Sequence, residues 1–142
     1  MTLAGSCHCG NIRFKFDRAP GSPSTIAARA CDCSFCVKHG GLWTSSKGGS
    51  LRVTVGDPGL VSRYAFGTHT AQFHVCTRCG IVPFVTSEID GRLYGVVSVN
   101  AFDGVDPSTV TRAPASFDGE DEATRLARRK RNWIDDVRIG QG

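Results

Sequence analysis

A chain of 142 residues and 15.2 kDa has room for one domain of ordinary size, so a single unit spanning 1–142 is expected. With 40% hydrophobic and 21% charged residues it falls outside the disordered, collagen-like and coiled-coil classes, and no apolar stretch approaches the roughly 18–20 residues of a membrane span. The net charge of +4 is concentrated in Arg125, Arg128, Arg129, Lys130 and Arg131, without which the remaining 12 basic residues face 13 acidic ones, so no broad polyanion-binding face is implied.

In chain order, the opening Met1–Ser6 has neither a basic n-region nor an apolar h-region, which leads us to expect a cytoplasmic protein. Ile12, Phe14 and Phe16 alternate with Arg13, Lys15 and Asp17, the period of two of a half-buried strand. Residues 17–25, rich in Pro, Gly and Ser, read as a surface loop; 25–30 reads as a strand entering Cys31. Leu51, Val53 and Val55 repeat the alternation, and further strands are expected at 60–66, 70–75, 81–86 and 92–99, the last Val-rich enough to be buried on both faces. Gly48-Gly49, Asp57-Pro58-Gly59 and Asp90-Gly91 punctuate these runs as turns. The pattern predicts a mainly β domain of antiparallel hairpins, as a meander or Greek key. One helix is expected at about 119–131, where acidic residues open the segment and the basic cluster closes it, in the order the helix dipole favours. The basic run then reads as a solvated helix end rather than a nucleic-acid patch, because no aromatic residues interleave with it.

Seven cysteines cannot all pair, and in a reducing compartment metal binding is the default reading. They fall into three groups: Cys7 and Cys9 (C-x-C), Cys31, Cys33 and Cys36 (C-x-C-x-x-C), and Cys76 and Cys79 (C-x-x-C). Cys7 and Cys9 would share one face of a strand, and Cys76-Thr77-Arg78-Cys79-Gly80 looks like a zinc knuckle whose glycine relieves the backbone. The two pairs would complete a closed tetrahedral site, leaving Cys31, Cys33 and Cys36 one ligand short, with an open fourth position of the kind that marks catalytic zinc. Spacing also permits Cys33, Cys36, Cys76 and Cys79 to form a zinc ribbon. The smaller closure cost of the local triplet favours the first partition, but spacing alone does not decide.

The segments Gly5-Ser6-Cys7-His8-Cys9-Gly10-Asn11-Ile12-Arg13-Phe14, Cys31-Asp32-Cys33-Ser34-Phe35-Cys36 and Phe73-His74-Val75-Cys76-Thr77-Arg78-Cys79-Gly80 together resemble the glutathione-dependent formaldehyde-activating enzyme family, which shares its domain with centromere protein V. The resemblance covers roughly 5–103. It implies a β-tent (Mss-four-like) fold of antiparallel sheets stapled by zinc, with the short C-terminal helix read above. It also implies two Zn²⁺ per chain, one structural on Cys7, Cys9, Cys76 and Cys79 and one labile on Cys31, Cys33 and Cys36. The implied activity is that of a carbon–sulfur lyase making or breaking the adduct of glutathione with formaldehyde, with the thiol at the open position. The sequence departs from the family pattern where Val37-Lys38-His39 follows Cys36 and where the family's usual Pro-x-His-Ile close is missing.

Three thiolates on zinc suit a soft thiol ligand better than hydroxide activation, so the expected chemistry is a thiolate adding to a small aldehyde and the reverse. Asp32, Ser34 and His39 are candidates for proton transfer, and His39 could instead fill the fourth position. Asp32 and Ser34 could equally support the metal loop, and His8 is expected to point away from the metal. His69 and His74 receive no role. Trp43, Phe35 and Phe84 read as core, although Gly40-Gly41-Leu42-Trp43 could line the pocket; Lys38 and Arg78 are candidates for a glutathione carboxylate. Two other classes compete: a zinc-stapled protein- or nucleic-acid-binding module without a reaction, and a Cys33–Cys36 redox switch. The open triplet favours the enzyme, unless His39 closes it.

Overall fold

The computed structural model describes residues 2–142. A four-stranded sheet has the order β1 (Thr2–Ser6), β2 (Ile12–Asp17), β5 (Ser50–Val55) and β11 (Val137–Gln141). A seven-stranded sheet has the order β10 (Val110–Ala115), β3 (Ile26–Cys31), β4 (Trp43–Thr44), β9 (Arg92–Ser98), β8 (Phe84–Ile89), β7 (Gln72–Cys76) and β6 (Val61–Tyr64). The helices are α1 (Ser34–His39) and α2 (Glu122–Asn132).

Strand alternation determines which residues enter the core. Ile12, Phe14 and Phe16 on β2 and Leu51, Val53 and Val55 on β5 are buried, and with Phe84, Val97 and Ile134 they form the larger apolar cluster. Val85 and Val96, the alternate residues of β8 and β9, belong instead to a second cluster with Trp43, Phe73, Tyr94 and Trp133. The central strands are therefore covered on both sides, as the Val-rich composition of 92–99 implies. Asp90 and Gly91, at φ 52° and 76°, turn β8 into β9, the positive-φ pair of a tight hairpin.

Several boundaries differ from expectation. Two edge pairs, β10 with β3 and β11 with β5, are parallel, because long crossovers return the chain to strands formed much earlier. Pro114, which has no N–H to donate, is tolerated in β10 at the sheet edge. The strand expected at 81–86 begins only at Phe84, since 81–83 carry the return from the knuckle. The C-terminal helix starts at Glu122, where Asp121 caps it by accepting from the Thr124 N–H at 2.7 Å.

Candidate functional site

Two sulfur clusters form, with the partition favoured above: Cys7, Cys9, Cys76 and Cys79 in one, Cys31, Cys33 and Cys36 in the other, all sulfurs within each lying inside 4.8 Å of one another. None is engaged in a disulfide. Cys7 and Cys9 do not share a strand face as expected; they sit in the turn between β1 and β2, where the Gly10 N–H donates to the Cys7 carbonyl at 3.1 Å and the Ile12 N–H donates to Cys7 Sγ at 3.3 Å. Opposite them, Cys76 ends β7, and the Gly80 N–H closes the knuckle on the Cys76 carbonyl at 2.7 Å with Gly80 at φ 81°. The Cys7–Cys9 and Cys9–Cys76 sulfur separations are 3.7 and 3.5 Å, close to the ~3.8 Å edge of a tetrahedron with Zn–S bonds of about 2.3 Å. Without an ion the thiols share protons unequally. Burial above all pushes Cys7 up to about 11; for Cys79 burial is outweighed by hydrogen bonds from backbone N–H groups and neighbouring thiols, which bring it down to about 6.

The second cluster is built from three consecutive structural contexts. Cys31 ends β3, Cys33 is the N-cap of α1, and Cys36 lies inside that helix. The Cys36 N–H donates to Cys33 Sγ at 3.4 Å, and the indole Nε1–H of Trp43 donates to Cys36 Sγ at 3.3 Å. Gly40, left-handed at φ 71°, ends the helix and turns the chain back toward Trp43. Here the hydrogen bond from Cys36 is the main influence pulling the Cys31 thiol down to about 6, while Cys36 is pushed up by Cys31 and by burial.

This second cluster opens on a cavity of about 460 Å³. Its floor is the outer face of the large sheet, with Trp43, Phe73, Val85 and Val96, and its mouth carries Asp32 and Ser34. The opposite wall is α2. Arg125, Arg128 and Arg129, spaced to share one helical face, line the cavity with Arg29 of β3. The basic run is therefore not simply a solvated helix end. Arg129 is buried at 6% exposure, and Arg128 packs over the Phe117 ring at 3.6 Å while forking onto Glu120 at 3.0 and 3.1 Å. Only Lys130 and Arg131 of the five are exposed.

His39 is not placed with the sulfurs. Its ring stacks on Phe35 at 5.4 Å, and it lines a separate depression with Lys38, Tyr64 and Phe66. The structure does not bring His39 to the three sulfurs, where it was expected as a ligand or proton carrier, because the end of α1 stacks it on Phe35 in that separate depression. Phe35 itself joins Tyr64, Phe66 and Phe73 in an aromatic cluster. Lys38 and the exposed Arg78 do not line the cavity, so α2 and β3 supply the cations that sequence reasoning assigned to them. The i, i+3, i+4 spacing of Arg125, Arg128 and Arg129 was the available signal. His74, buried and stacked on Phe84, shares a 2.7 Å hydrogen bond with Thr86, and His8 is exposed.

A crystal structure of a Rhodobacter sphaeroides protein is similar to this chain at 31% identity and a TM-score of 0.60, over 78% of this chain and 97% of the other. The model of the glutathione-dependent formaldehyde-activating enzyme family matches residues 2–115, a span that contains all seven cysteines and ends before α2. With both sulfur clusters inside the matched segment and four-fifths of the sequence covered, the chain belongs to the glutathione-dependent formaldehyde-activating enzyme family.

Proposed function

We propose that this protein is a zinc-dependent carbon–sulfur lyase acting on a thiol–aldehyde adduct such as S-hydroxymethylglutathione. The observation that carries the reading is the contrast between the two sulfur sets: one closes on itself with four, the other offers three to a cavity large enough for a small peptide thiol. Cys7, Cys9, Cys76 and Cys79 would hold a structural zinc, and Cys31, Cys33 and Cys36 a labile one. Bound by Cys31, Cys33 and Cys36, a zinc ion would supply a soft fourth position favouring the ionised form of a thiol at neutral pH. Trp43 donates its indole N–H to Cys36 and would hold that sulfur's orientation, while Phe73, Val85 and Val96 give the cavity an apolar floor.

In the cleavage direction the adduct's hydroxyl gives up its proton, the oxygen pair forms the aldehyde carbonyl, and the carbon–sulfur electrons pass to sulfur, which leaves as thiolate. Asp32 and Ser34, exposed and lining the cavity, would pass that proton to solvent; synthesis is the reverse. Family membership supports glutathione and formaldehyde as the substrate pair.

Native mass spectrometry of the freshly purified chain, with and without glutathione, tests this beside an assay of formaldehyde consumption. The expected result is two zinc ions, one in Cys31→Ser, a glutathione-bound species, and thiol-dependent conversion lost in the variant. Zinc content unmoved by Cys31→Ser, with no conversion, would overturn the reading in favour of a zinc-stapled binding module.

A further inference from the structure

The cavity wall facing the three sulfurs holds more positive charge than its neighbours neutralise. Arg125 and Arg128 share Glu120, with nitrogen–oxygen separations of 3.5 and 3.0 Å. Arg129 and Arg29 have no such partner: among the described residues neither lies within ion-pair distance of a carboxylate. Arg129 Nη1 donates to the hydroxyls of Thr70 at 2.8 Å and Ser87 at 3.1 Å, and its Nε–H is buried with nothing to accept it. Arg29 Nη2 reaches only the Ser45 hydroxyl at 3.2 Å. Asp32 and Asp118 also line the cavity but are exposed, and neither pairs with these guanidinium groups. A buried guanidinium held by neutral hydroxyls and by the Trp133 ring, 5.0 Å away, still carries a desolvation cost that an anion in the cavity would offset. Burial, and then the neighbouring Arg128 and Arg125, bring Arg129 down to about 10.

We propose that Arg129, assisted by Arg29, is the carboxylate receptor of this cavity, so that the protein selects thiols carrying a carboxylate at the end remote from sulfur. The inference rests on the lyase reading for the position of the thiol. It goes beyond it by assigning substrate selection to α2, which lies outside the segment matched by the family model. Arg129 lines the cavity and among the described residues its second Nη makes no hydrogen bond, so it keeps a donor for an incoming carboxylate, whereas Arg128, already forked onto Glu120, shapes the wall.

The test is calorimetric titration of the zinc-loaded full chain with S-methylglutathione, which has two carboxylates and a blocked sulfur, and with its diethyl ester. The wild type is expected to bind the diacid about tenfold or more tightly than the ester. Arg129→Met is expected to lose that preference, weakening the diacid alone; Arg129→Lys recovers part of it, and Arg29→Gln weakens the diacid by a smaller factor. Zinc content and circular dichroism establish that each variant is folded, and the comparison of acid with ester in the wild type needs no variant at all.

Equal affinity for acid and ester in the wild type, or a preference that survives in folded Arg129→Met, would overturn the proposal. Arg129-dependent binding of coenzyme A, a phosphate-bearing thiol, without an acid-over-ester preference would also overturn it, by reassigning the receptor to phosphate. Arg129-dependent, acid-preferring binding of S-methylglutathione, with no formaldehyde conversion, would leave this proposal standing and remove the lyase reading. Conversion of glutathione without the acid preference would do the reverse.

Discussion

At Cys36 the indole N–H of Trp43 ties the metal loop to the sheet, and one glycine makes that bond possible. A Cβ on Gly41 would lie 2.8 Å from Trp43 Nε1 and 3.1 Å from the adjoining indole carbons, so the ring can approach Cys36 only because residue 41 has no side chain. Gly41→Ala should push the indole off the sulfur, destabilising the fold by about 1 kcal/mol and weakening zinc on the three-sulfur set by about tenfold, as loss of a partner to a metal ligand usually does. Trp43→Phe removes the same donor without introducing a clash. Competition with a chromogenic chelator should therefore show the two variants losing zinc from this site alike; a Trp43→Phe protein that retains it would mean that the indole acts by packing.

Among the elements, α2 is fixed on the large sheet by Arg129 to Thr70 and Ser87 and by Lys130 to Asp90, and is tied to the segment before it by Glu120. Hydrogen bonds from Arg128 hold the Glu120 carboxyl below its ordinary value despite its burial, with the charges of Arg128, Arg125 and Arg129 adding to the effect. The folded state thus favours the ionised form. The contribution to stability is complete above the unfolded carboxyl's ordinary range near pH 4.5 and is lost as pH falls through the depressed folded value. Glu120→Gln should lower stability at pH 7 by about 1 kcal/mol, and thermal melts should show the gap between the two proteins closing on acidification. This anchor marks where sequence reading stopped. The hydrophobic period of two reveals β2 and β5, and cysteine spacing with local closure and the family resemblance gives the two sulfur sets. α2 was visible as a helix, but its amphipathic face is made of arginine rather than leucine, and a charged face normally means solvent. Only packing of Arg128 on Phe117 and the depth of Arg129 show that it faces inward. β10 and β11 escaped for a different reason: their residues are largely exposed, and parallel pairing across a long crossover leaves no local turn signal.

Over the whole molecule the two sulfur sets are embedded differently, and their removal should have unequal consequences. Cys7 and Cys76 are 1% and 0% exposed and belong to the larger apolar cluster beside Ile12 and Phe84, tying the β1–β2 turn of one sheet to the β7 knuckle of the other. An ion there would join segments about seventy residues apart, so losing it removes a long-range tie and its binding free energy from the folded state and leaves thiols buried in the core. The three-sulfur set joins residues only five positions apart, in a loop already held by the α1 cap and the Asp32 N–H bond to the Ala115 carbonyl at 2.9 Å. Cys76→Ser should therefore cost at least about 3 kcal/mol, a fall on the order of 10 °C in Tm, whereas Cys31→Ser should cost under about 1 kcal/mol while abolishing conversion. Calorimetric melts of the two variants, with a zinc count for each, measure this asymmetry directly. Equal losses of stability would mean that the loop around Cys31 needs its metal to fold, and would place that zinc among the structural elements of the domain.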